Sequence, residues 1–160
     1  MPPPYKDFPT MADDCIDKIT IAGRLSELAT VRRFVRRVCE SVPDLGGEKA
    51  MHRAVLAADE VVVNIIEHAY GGDDGKGTIR IDSHCDPDAL VFSFHDWSGS
   101  PFQPPPEAFS LPENGPDGPS DRNRGLFLID QCVDTVEFIY DEREGRNCVR
   151  LVFRRQTGEG

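Results

Sequence analysis

The sequence predicts an α+β domain: a two-layer sandwich in which a mixed, mostly antiparallel sheet is covered on one face by helices. Three observations carry this. The periodic segments run strand, two helices, two strands, long loop, helix, two strands, and that order lacks the strict alternation of a parallel βαβ chain. Two pairs of strand-like segments are separated by only a few turn residues, as in hairpins. One long apolar stretch, ending in "EVVVNIIEHAYGG" at 60–72, has helical rather than strand period. A length of 160 residues suits one domain with a substantial core.

The elements follow in order. Residues 1–15 are Pro-rich and polar and read as a flexible arm. They lack a basic region followed by an apolar one, so they do not read as a secretory leader. The domain proper spans 16–155, and 156–160 read as a disordered tail. "DKITIAGRL" is a strand through Ile19 and Ile21. "SELATVRRFVRRVCESV" is a helix with Ser26 as N-cap and a buried stripe of Leu28, Val31, Val35 and Val38. Its other face carries Arg32, Arg33, Arg36 and Arg37, either a solvated face or a docking patch for an acidic partner. The next helix runs from about Lys49 to Tyr70, and Gly71 and Gly72 cap it in the left-handed conformation.

"TIRIDSH" and "ALVFSFHD" form the first hairpin around Asp86, Pro87 and Asp88. A stretch rich in Pro, Gly, Ser and Asp follows, about 98–124. A loop of that length inside a compact domain is a functional lid or a disordered insert. "GLFLIDQCV" is a short helix starting just after Gly125. The closing hairpin alternates Val136, Phe138 and Tyr140 against Val149, Leu151 and Phe153.

Composition narrows the function. A net charge of −10 argues against a protein that grips nucleic-acid phosphates, which needs a basic face. No run of residues is apolar and long enough to span a membrane. Five scattered cysteines without a Cys-x-x-Cys pair fit buried thiols in a reducing cytoplasm.

Glu60, Asn64 and His68 recur every four residues and share one helix face beside the apolar series Met51, Ala54, Val55, Ala58, Val61, Val62, Ile65 and Ala69. Asp96 ends a strand and is followed by "WSGSPF". A buried Asp there can accept a hydrogen bond from an exocyclic amine such as that of adenine, and a nearby glycine lets backbone approach the ring. Asn64 offers a neutral oxygen of the kind Mg²⁺ accepts alongside phosphates and water. Glu60 can take a proton from a hydroxyl, and His68 can face the phosphates or cap the helix. A glycine before a helix start offers free N–H groups to phosphate.

Together these residues resemble a known family. "DEVVVNIIEHAY" resembles the N box of the histidine-kinase-like ATPases, the Bergerat-fold superfamily. "FHDWSGSPF" resembles its G1 box and "NRGLFLIDQCVDTVEF" its G2 box. The pattern Glu-x-x-x-Asn-x-x-x-His-Ala-Tyr, with Pro-Phe after the Asp box, is most similar to the bacterial anti-sigma-factor serine kinases, over about residues 17–154.

That resemblance implies a cytoplasmic, ATP- and Mg²⁺-dependent protein serine kinase. It would bind a sigma factor, phosphorylate a serine of an anti-anti-sigma (STAS) protein, and form a homodimer. It implies Glu60 as general base and Asn64 as the Mg²⁺ ligand. Asp96 would read adenine with Gly99 and Phe102 beside it, and His68, Arg124, Gly125 and Leu126 would contact nucleotide. Two departures stand out. Ser98 occupies the glycine position of the G1 box, with Gly99 next, and Asn123 replaces the first G2 glycine. They keep open a second reading, a partner-switching module that binds protein without catalysis, and a third, an ATPase domain with another acceptor.

Overall fold

The computed structural model describes residues 15–72, 74–110 and 121–156. The reading of 1–15 as an arm falls outside this range except for Cys15, the tail except for Gln156, and the lid in its middle portion. Five strands form one sheet in the order β1-β2-β3-β5-β4: β1 Cys15–Ala22, β2 Thr78–Cys85, β3 Ala89–Asp96, β4 Thr135–Asp141 and β5 Arg146–Arg154. All four pairings are antiparallel. The helices α1 (Leu28–Glu40), α2 (Gly47–Asn64) and α3 (Asp121–Cys132) supply the second layer. This is the α+β sandwich the sequence predicts.

The core forms where the strand and helix periods meet. Ile79, Ile81, Leu90, Phe92, Phe94, Val149, Leu151 and Phe153 share one sheet face, and Val31, Phe34, Val35 and Val38 of α1 pack on it. Phe92 meets Phe34 and Phe153 edge to face, at 6.3 and 6.1 Å between ring centroids. Each such ring contributes about 1.5–3 kcal/mol by leaving water. Ala50, Ala54, Ala57 and Ala58 keep α2 slim where it packs against both α1 and α3. The opposite sheet face carries polar side chains that pair with one another. Asp82 links Arg80 and His95, each at 3.1 Å, and Arg150 meets Glu137 at 3.3 Å.

Some boundaries differ from the sequence reading. Ser26 is no N-cap. It lies in a 3₁₀ turn, Leu25–Glu27, that leads into α1 without a side-chain cap. α2 starts at Gly47, and its last turn widens to a π-helix over Ile65–Ala69, a feature that often marks functional sites. Gly71 and Gly72 do adopt positive φ, 68° and 138°. Tyr70 then fastens this end of the helix to the sheet, donating to the Thr78 carbonyl (2.6 Å) and accepting from the Trp97 amide (3.0 Å).

The clearest difference is α3, which begins at Asp121 and not just after Gly125. In the sequence the Pro- and Gly-rich run before it obscures this start. The free N–H groups of this helix therefore belong to 121–124, and Gly125 lies inside it.

Candidate nucleotide site

A cavity opens between the π turn of α2, the end of β3 and the start of β5. Its empty space, counted out to the mouth, is ≈ 480 Å³. Apolar walls come from Ile65, Ala69, Phe102, Ile129, Phe138 and Val149, and the polar groups are Asn64, His68, Asp96, Ser100 and Asn147. Four residues singled out in the sequence thus share one wall system: Asn64, His68, Asp96 and Phe102. His68 and Phe102 stack nearly parallel, 5.8 Å apart with 8° between planes, and Phe102 meets Phe138 edge on at 5.7 Å.

Asp96 is buried, 2% exposed, at the floor. Its Oδ1 accepts from the Ser98 amide and from Asn147 Nδ2, both at 3.2 Å. No described group donates to Oδ2, which leaves that oxygen as an acceptor for whatever enters.

Asn147 is the functional residue that sequence reasoning missed. Register places it directly opposite Asp96. Besides Asp96, its Nδ2 donates to the Ser100 carbonyl (2.7 Å) and its Oδ1 accepts from the Phe102 amide (2.9 Å). One buried amide therefore holds both the floor carboxylate and the loop 98–102. An Asn in an alternating strand reads as an outward polar position, and only strand pairing reveals its neighbour. Asn147→Ala leaves a buried oxygen and two backbone groups short of partners. It is expected to cost about 1–3 kcal/mol of stability and to weaken ligand binding, as thermal melts with and without ligand would show.

Glu60 lies one turn before Asn64, half-buried against α3. Burial first, then the negative charges of Asp59 and Glu67, push its carboxyl above the ordinary carboxylate range. Asp59 itself is held by Arg32 at 2.8 Å. Gly125 makes the fit between α2 and α3 possible: a Cβ there would sit 2.7 Å from Glu60 Oε2 and 3.7 Å from Asn64 Oδ1. Both polar side chains therefore converge on the bare backbone of Gly125. Gly125→Ala is expected to leave the melting temperature level or slightly raised, since Ala favours a helix over Gly by about 0.5–1 kcal/mol. It would displace the flexible Glu60 side chain and lower activity, a separation that paired melting and activity measurements resolve.

The remaining predicted residues sit elsewhere. Gly99 has φ +79° and lies off the cavity wall, against the β4–β5 turn: its amide donates to the Gly145 carbonyl at 3.0 Å and its carbonyl accepts from Tyr140 at 2.9 Å. Leu126 is buried in the core. Arg124 falls in the second half of the first α3 turn, and its side chain is outside the described residues. Both altered glycine positions are relaxed. No described non-glycine residue has positive φ, so Ser98 leaves the left-handed conformation to Gly99, and Asn123 is helical.

A sequence model of the histidine kinase-like ATPase domain matches residues 21–153. The chain belongs to that family, whose domains bind ATP, usually with Mg²⁺. Comparison with curated proteins gives no match. The cavity fits an adenine nucleotide on its own chemistry. It has apolar walls, one free carboxylate oxygen at its floor for an amine, and the neutral amide of Asn64 on its lining; Glu60 is not on that lining and lies one turn away, against Gly125. No helix among the described residues is long and apolar enough to cross a membrane.

Proposed function

We propose that the protein is an ATP- and Mg²⁺-dependent serine kinase that acts in the cytoplasm as an anti-sigma factor. In this reading it phosphorylates a serine of an anti-anti-sigma (STAS) protein and works as a homodimer. The observation that carries the proposal is the convergence of Glu60 and Asn64 on Gly125 beside a cavity floored by Asp96. A half-buried carboxylate held above its ordinary range one turn from a metal-type oxygen is an arrangement that suits a general base.

The roles follow from the groups. Asp96 Oδ2 accepts from the adenine amine, and Asn147 holds Asp96 in the orientation that makes this possible. Ile65, Ala69, Phe138 and Val149 exclude water from the base. Asn64 supplies a neutral oxygen for Mg²⁺. Glu60 accepts the proton of the serine hydroxyl. Bound ATP with Mg²⁺ supplies the phosphoryl group and offsets the charge that spreads over it during transfer.

The second reading, a non-catalytic module, rests on Ser98 and Asn123. Neither carries backbone strain, which supports the kinase reading. The direct test incubates the protein and radiolabelled ATP with a STAS protein. Label on one serine of the STAS protein, absent when that serine is Ala, is the expected result. ATP binding without label on any serine would leave the ATPase and remove the kinase.

A further inference from the structure

The chain carries a net charge of −10, yet the outer surface of the α1–α2 pair is locally basic. Arg36 faces Lys49, His52 and Arg53 across an open groove with Met51 and Val55 on its lining, and Glu48 is the one acid there. Arg36, Lys49, His52 and Arg53 are exposed and pair with no acid among the described residues. Their neighbours on α1 differ: Arg32 is tied to Asp59 and Arg37 to Asp17, at 2.8 and 2.7 Å. The arginine face of α1 therefore divides into cations that brace the fold and cations left for something else. Leu56, one turn beyond His52, is 38% exposed beside the groove, while Val55 beneath it is buried.

We infer that this groove docks an acidic amphipathic helix of a partner protein. Carboxylates of that helix would meet Arg36, Lys49 and Arg53, and its apolar side chains would cover Met51 and Leu56. A furrow between two packed helices accepts a third by ridges and grooves. Salt screens charges over about 8–10 Å, so the local cations outweigh the acidic remainder of the surface. Nucleic acid fits less well, because the lining includes apolar side chains and Glu48. The groove lies about 18 Å along α2 from Asn64, so it serves a partner and not the nucleotide. The inference does not depend on the nucleotide reading.

The test uses the full chain and a fluorescein-labelled Leu/Glu peptide helix with one apolar face, followed by anisotropy at low and high salt. The expected result is binding that weakens with salt and falls about tenfold or more in the triple variant R36E/K49E/R53E. Circular dichroism confirms that the variant is folded, and R36Q/R53Q serves if it is not. Unchanged ATP titration of the variant separates this surface from the cavity. Equal binding by variant and wild type would overturn the inference. So would equal binding of a scrambled peptide of the same charge, or tighter groove-dependent binding of duplex DNA.

Discussion

Glu60→Gln is expected to bind ATP as the wild type does and to lose phosphoryl transfer by about 10²–10⁴-fold, the usual contribution of a positioned general base. The amide keeps the shape of the side chain and its fit against Gly125, so the loss falls on chemistry and not on the fold. The pH dependence has a definite sign. The folded state holds Glu60 above its ordinary value of 4.5, through burial and then Asp59 and Glu67. Between 4.5 and the raised value, the folded state binds the proton better than the unfolded chain. The Glu60 contribution to stability therefore rises as pH falls through that window. The base form is lost over the same window, so transfer falls with a midpoint above 4.5. Glu60→Gln removes both dependences. A wild-type transfer rate in Glu60→Gln would take the role of base away from this residue.

Asp96→Asn is the second large effect. A carboxylate can accept on both oxygens, whereas an amide has one acceptor and one donor group. Asp96 needs an acceptor toward the Ser98 amide and Asn147 Nδ2 and another toward the ligand. With Asn there, one side meets donor against donor. The cost is that of a hydrogen bond to a charged group, about 1.5–3 kcal/mol, or roughly tenfold to 150-fold in affinity. ATP titration of folded Asp96→Asn measures it. An unchanged affinity would mean that Asp96 serves the loop 98–102 alone.

Much of this architecture was legible because it is local. The stripe along α2 is set by a period of 3.6, and Glu60, Asn64 and His68 fall beside it whatever the rest of the chain does. The hairpins declare themselves by alternation and short turns. At Asp86, for instance, Oδ1 accepts from the amides of Asp88 and Ala89 at 2.7 and 2.8 Å. Asp96 was legible as a strand end. What stayed hidden depends on contacts between distant segments. Asn147 gains its meaning only from the register that sets it opposite Asp96. The close approach of Gly125 to Glu60 needs the packing of α3 on α2. The sequence shows a displaced glycine at Ser98-Gly99, but not that Gly99 spends its positive φ on reaching Gly145. The helix start at Asp121 is hidden behind the proline and glycine signals that precede it.

The proposed function stands on ATP entering this cavity with Mg²⁺ held at Asn64. Calorimetric titration of ATP into the purified protein, with and without Mg²⁺ and beside Asn64→Ala, measures that step. Binding is expected to require Mg²⁺ and to be lost in Asn64→Ala, while the variant melts within a few degrees of the wild type. Binding that ignores both Mg²⁺ and the Asn64 substitution, or no binding at all, would overturn the proposal.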